Sequence, residues 1–273
     1  MAASDSSMST TLPLSWRLRR AVLVALLLGL WAPVKIVWEQ HIVREQDFLR
    51  YRGTTVTREL RDQLGQGLTI GVLSGMRSVV ADLLWLETVA DWMHQDWFKM
   101  SHVVNLCTIL QPRYPLFWDM GGWNLAWNAS IDALQDPKQH NELKRLKASR
   151  YWIDQGLDVY LRGLQNNPTD WRLWANTAIL YQQRLLDRRT AAYYYQKASE
   201  QPNAPVYLER APAIMYGLAG DHQAEYESWK ALWLRLTPKQ RKEQQHTAGR
   251  VEAEIRHLEQ KLSIPKEKRI FPN

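Results

Sequence analysis

From about residue 76 onward, apolar residues recur at spacings of three and four rather than two, so the pattern predicts helices and gives almost no strand. Ahead of that body the pattern is different. Ala21-Val-Leu-Val-Ala-Leu-Leu-Leu-Gly-Leu-Trp-Ala-Pro-Val34 is apolar on every side, which no surface helix of a soluble domain tolerates. With Lys35 snorkelling and Trp31 and Trp38 near an interface, the run reaches 18 residues, the lower limit for a membrane span. It predicts a transmembrane anchor over residues 21–38, after a polar, disordered, basic tail over residues 1–20. A cleavable signal peptide is the competing reading; a cut after Ala32 would leave Pro33 first, and the small-x-small pattern is poor there. Arg17, Arg19 and Arg20 favour a cytoplasmic tail, which places the body outside the inner membrane, in a periplasm or its equivalent. Lys35, Arg44, Arg50 and Arg52 follow the span and weaken that bias.

Beyond the anchor, residues 39–75 read as a charged helical linker with a glycine-containing joint. The breaks that follow are regular. Pro168 and Pro202 lie 34 residues apart and Pro238 comes 36 later, with helical content between them. Trp118, Gly122 and Leu125 repeat the spacing of Trp174, Ala178 and Tyr181, an aromatic with a small residue four later and a bulky one seven later. Gly156, Tyr160, Gly163 and Pro168 follow a second pattern of small, bulky, small and proline, which Ala191, Tyr195 and Ala198 also fit. Met100, Val104, Cys107 and Pro112, and more loosely Ala224, Ser228 and Ala231, keep the same spacing.

These spacings resemble the tetratricopeptide repeat family over about residues 76–238. The resemblance implies an all-α fold in which antiparallel helix pairs stack into a superhelix, an α–α solenoid, with the small residues marking close helix approach. An insertion of roughly twenty residues, near 129–147, separates Pro112 from Pro168 and departs from the family period. The segment 75–94, with Leu110-Gln-Pro-Arg113 and the aromatic stretch after it, is also similar to a group of membrane-anchored bacterial proteins with tetratricopeptide-like bodies. That group supplies no activity to carry over. Residues 239–262 read as a charged helix whose stripe of Val251, Ile255, Leu258 and Leu262 either caps the last pair or binds a partner, and residues 263–273 read as a mobile tail.

Charge changes the picture only when divided along the chain. The net +7 comes from the ends: residues 1–60 carry 8 basic and 5 acidic side chains, 61–236 carry 18 and 18, and 237–273 carry 9 and 5. A neutral body with basic ends lacks the clustered footprint that nucleic acid requires, so no nucleic-acid partner is expected. Cys107 is the only cysteine, which excludes an intrachain disulfide and any cysteine zinc site, and its apolar neighbours predict a buried thiol.

No nucleotide, zinc or nucleophile-elbow motif is present, so neither a cofactor nor an enzymatic reaction is expected. The nearest approach to chemistry is Glu87, Asp91 and His94, which helical spacing brings within about 60° of one another on one face. Such a trio could hold a divalent metal or act as acid and base, or be a polar face paired with Arg77 or Lys99. Asn128-Ala-Ser130 matches a glycosylation acceptor, relevant only in a eukaryotic secreted chain.

A groove is the stronger candidate. The resemblance implies that the first helices of the pairs line a concave face for an extended peptide or partner helix. Counting around them places Asp119, Trp123 and Trp127 there in one pair, Arg172, Asn176, Ile179 and Gln183 in the next, and Tyr207 and Arg210 in the third. Amides and guanidinium groups suit peptide backbone and carboxylates, and indoles add flat apolar contact. The sequence therefore points to an anchored scaffold that binds another protein, in the assembly or organisation of a cell-envelope complex. A binder of envelope glycan or lipid is the alternative: exposed Trp123 and Trp127 flanked by carboxylates and amides support it, a groove rich in Arg and Asn without exposed indoles favours peptide, and the bland reading buries both indoles against a neighbouring pair or under the inserted segment.

Overall fold

The structure is a computed structural model that describes residues 75–243 and 245–272. The chain divides into two units, Met1–Val80 and Ala81–Asn273. The tail, anchor and linker expected over residues 1–74 lie outside the described residues. No helix among the described residues is long and apolar enough to cross a membrane.

All regular structure among the described residues is helical. Helix α1 spans Arg77–Met93, and α2 spans Trp97–Leu110. Helix α3, Pro115–Trp123, runs through a π-helical turn, Asn124–Ala129, into α4, Ser130–Gln135. Helices α5 (Glu142–Asn166), α6 (Trp171–Gln183) and α7 (Arg188–Ser199) follow. A 3-10 turn, Val206–Arg210, leads into α8 (Ala211–Leu218), and α9 (His222–Arg235), α10 (Pro238–Glu243) and α11 (Gln245–Lys261) complete the set.

Local chemistry fixes the starts. Asp96, Asn141, Asp170, Asp187 and Asp221 each accept a backbone N–H from the first turn of α2, α5, α6, α7 and α9, satisfying donors that a helix leaves orphaned. Pro115 opens α3, where its missing N–H costs nothing.

In the second unit neighbouring helices pack in sequence. The rod α3–α4 lies against α5, α6 against α7, and α8 against α9, with α6 also touching α3 and α5, and α7 touching α8. The glycines show how closely the first of these pairs approaches. A Cβ on Gly156 of α5 would sit 2.6 Å from Ala126 Cβ and 2.7 Å from both Ala126 N and Gly122 O. On Gly122 it would meet the Tyr160 ring at 2.8 Å, and on Gly163 the Trp118 Cβ at 2.8 Å. Gly121 faces the other way: its Cβ would strike Val104 Cγ1 of α2 at 2.5 Å. The adjacent glycines therefore admit two different helices, and α3 survives two poor helix formers because both its sides are buried.

The residues of the insertion near 129–147 take helical form: they lengthen the two helices that flank it, with α4 running to Gln135 and α5 starting at Glu142, so only 136–141 connect them. One expectation is corrected here, because the last residues are not a free tail. Ile264, Ile270 and Phe271 pack on the cluster formed by Tyr226, Trp229 and Leu232 of α9 and Val251, Ile255 and Leu258 of α11. Phe271 meets Trp233 edge-on at 5.1 Å, with the Arg256 guanidinium 4.5 Å from its ring, and buried Glu259 accepts the Ile270 N–H at 2.6 Å. Partial burial of these apolar side chains holds the basic segment down, since the stabilisation scales with the apolar area removed from water. The α11 stripe is thereby spent inside the fold against α9.

Candidate functional site

Asp119, Trp123 and Trp127 follow one another at intervals of four along α3 and the π-helical turn, so their side chains rise from neighbouring turns. Asn176, Ile179 and Gln183 occupy the corresponding stretch of α6. Two hydrogen bonds set the register between these elements. At one end Asn176 Nδ2 donates to Asp119 Oδ1. At the other, the Arg184 guanidinium donates to buried Ser130 Oγ at 2.6 Å. Along the α3–α4 rod Trp123 and Trp127 lie between those contacts in sequence, as Ile179 and Gln183 do along α6, and these matching positions define a candidate row.

Within the row the two indoles stack, with ring centroids 4.3 Å apart and planes 8° from parallel. Trp127 is the buried member at 8 % exposure and Trp123 the outward one at 39 %. Wide turns of this kind occur mostly as single π turns inside α-helices, frequently at functional sites. The row thus has an exposed aromatic face on a rigid buried base, with Gln183 exposed and Ile179 half-buried along α6.

Its polar end is satisfied internally. Burial pushes the Asp119 carboxyl above its ordinary value, the Asn176 bond and nearby Arg172 pull it back, and Asp170 pushes it further up. Tyr160 donates its O–H to the Asp119 carbonyl at 3.2 Å, and burial holds that phenol well above its usual range. Asn176 therefore serves the α3–α6 contact before it serves any ligand. Arg172 is exposed, with its guanidinium 5.0 Å from the Trp171 ring and 3.8 Å from Asp170.

The third pair does not continue the row in the same way. Tyr207 is exposed on the 3-10 turn, and Arg210 lines a small cavity of about 30 Å³ with Val206, Leu232 and Leu236. The remaining marked residues are structural. Trp118 Nε1 donates to Pro112 O at 2.7 Å, and 56 residues later Trp174 Nε1 donates to Pro168 O at 2.8 Å. Each indole pins the proline turn that precedes its own helix, a repeated device that the proline-to-tryptophan spacing of six carries in the sequence. Ala178, Ala191, Tyr195 and Ala198 share one core cluster, against which Tyr181 also packs. Tyr181 stacks on Tyr194 at 5.2 Å.

The trio Glu87, Asp91 and His94, the last just past the end of α1, does not converge. Asp91 is buried and pairs with Lys99 Nζ at 2.9 Å, His94 Nδ1 lies 2.8 Å from the Ala90 carbonyl, and Glu87 is exposed. Among the described residues no group of three or more His, Cys, Asp or Glu is placed to hold a metal ion. Asn128 and Ser130 lie in helix with Ser130 fully buried, so the acceptor motif is not presented. No protein-family model, curated protein or solved structure matches this chain.

Proposed function

We propose that the chain is a membrane-anchored scaffold whose tetratricopeptide-like helical pairs stack as a superhelix and bind a segment of another protein. Its setting in this reading is the inner membrane, with the body on the periplasmic side, assembling or organising a cell-envelope complex. One observation carries the binding role: Trp123 stands exposed on Trp127 at a π-helical turn. An indole held this way gives contact area at little cost in conformational entropy, the property that enriches tryptophan at protein interfaces.

The test is quantitative co-purification. Full-length protein and its Trp123→Ala variant are isolated from membranes of the native cell and the bound proteins compared. The reading requires a stoichiometric protein that falls at least about tenfold with the variant, the usual effect of losing an aromatic hot spot. Equal recovery of every bound protein would remove Trp123 from binding. A second reading rests on the same stack, since a flat indole with its inner face covered can also carry a sugar ring. It requires a saccharide, rather than a protein, to be lost with Trp123.

A further inference from the structure

Away from the Trp123 row, a cleft of about 360 Å³ opens between the end of α1, the start of α2 and the α4 rod. Trp92, Met93, Trp97, Asn128, Asp132 and Gln135 line it. The hydrogen bonds around it fix which polar atoms remain available. Asn124 Nδ2 donates to the Met120 carbonyl at 2.9 Å, so Asn124 Oδ1 must act as acceptor, and it takes a bond from Asn128 Nδ2 at 2.7 Å. That bond consumes an amide hydrogen of Asn128 and leaves its Oδ1 as an acceptor. Likewise Trp97 Nε1, which can only donate, gives its hydrogen to Asp132 Oδ2 at 2.8 Å. The second carboxylate oxygen, Asp132 Oδ1, has no partner among the described residues, and Asp132 has no cation paired with it there.

The cleft therefore presents a carboxylate oxygen and an amide oxygen beside Trp92, which is half exposed, and no positive charge lines it. A group that matches it brings several N–H donors, a positive charge and a shape that lies on an indole. We infer that the cleft receives the side chain of an arginine or lysine from a bound polypeptide, with the cation against the Asp132 carboxylate and over Trp92. Such pairing combines a charge-assisted hydrogen bond with a cation–π contact. A neutral saccharide is the poorer match, because its hydroxyls forgo the charge pairing that the unpaired Asp132 oxygen offers. The inference rests on the proposed protein-binding role and specifies the chemistry of the partner segment.

The test uses full-length protein labelled with 5-fluorotryptophan, with the Trp92 and Trp97 fluorine signals assigned from Trp92→Phe and Trp97→Phe. The probe is the peptide acetyl-Gly-Arg-Gly-amide, and the control is the same peptide with citrulline, which keeps the shape and loses the charge. The expected result is a saturable shift of the Trp92 signal with arginine and at least about tenfold weaker binding with citrulline, the loss expected for an ionic hydrogen bond. Asp132→Asn keeps an acceptor for Trp97, so it should leave the unbound spectrum in place and weaken the arginine peptide by a similar factor. Glu209→Gln, in another cleft, should leave binding unchanged. No shift with arginine, equal shifts with citrulline, or unchanged binding in Asp132→Asn would each overturn the inference. Probe binding with no partner lost on Trp123→Ala would keep the cation site and remove the scaffold reading; the converse result would do the reverse.

Discussion

Gly156→Ala places a methyl group where the structure has backbone. The new Cβ would lie 2.6 Å from Ala126 Cβ and 2.7 Å from Ala126 N and Gly122 O. Two of these three atoms belong to the main chain of the α3 rod, so no side-chain rotation relieves the clash. Restoring ordinary contact requires the helices to part by roughly 0.8 Å, enough to forfeit a quarter to a half of the dispersion energy of the atoms concerned. Overpacking of this kind costs about 1–3 kcal/mol, and rigid obstacles put it at the upper end. Alanine recovers about 1 kcal/mol through its helix preference. The net loss is then about 2 kcal/mol, or a fall in melting temperature of roughly 4–8 °C for a domain of this size. Gly249 in α11 is the internal control, because a Cβ there meets nothing within 4 Å. Gly249→Ala should keep most of the propensity gain and raise the melting temperature by up to roughly 4 °C. Thermal unfolding of full-length protein, followed by far-ultraviolet circular dichroism, reads both. Shifts of the same sign and size would refute the close approach of α5 to the π-helical turn.

Asn167 donates to both Pro112 O and Gly163 O, so Asn167→Ala should destabilise by about 1 kcal/mol, readable as a shifted denaturation midpoint in urea. Cys107 is fully buried and burial pushes its thiol up to about 12, so alkylation at neutral pH should proceed only at the rate of unfolding. Labelling that outpaces unfolding would contradict the packing of α2. Asp119 has a folded pKa raised above its ordinary 3.8, so the native state takes up its proton first and this group's contribution to stability grows as pH falls through the raised value. Asp119→Asn, which still offers Asn176 an acceptor, should therefore be more stable than the parent at neutral pH, with the difference shrinking toward acid and fully gone below 3.8. A pH series of paired melts measures that difference free of the other carboxylates.

Helical content is legible along the described chain because spacing of three and four needs only local information. Close approach is partly legible for the same reason: glycine is rare inside a helix, so Gly122, Gly156 and Gly163 ask for a packing explanation, and each faces a neighbouring helix. The role of Gly121 is not legible, since nothing in its own helix announces that Val104 of α2 lies on that side. The same limit hides the π-helical turn. The turn packs on α5, a partner that its own sequence does not announce, and Asn124-Leu-Ala-Trp-Asn-Ala129 reads locally as ordinary helix. The extra length near 129–147 is legible from the proline spacing, but its helical form is not, because prolines mark where helices stop and not how long they run. Composition misleads in the closing segment: three basic residues and two prolines suggest a tail, while Ile264, Ile270 and Phe271 find their apolar partners only in three dimensions. In the row, the interval of four brings Trp123 and Trp127 together, but which indole faces out depends on α5 and α6. The cleft at Trp92 joins residues through a Trp97–Asp132 bond across 35 positions, beyond any local pattern.

The central claim is that the row from Asp119 to Trp127 on one helix, with Asn176 to Gln183 on the next, holds a segment of another protein. Site-specific photocrosslinking from Gln183, which is exposed at the end of that row, tests it most directly in cells making the full-length chain. The account predicts a discrete protein adduct at Gln183 that is lost on Trp123→Ala, with none from an equivalent label at Leu234, exposed on α9. No protein adduct at Gln183, or one indifferent to Trp123, would contradict it.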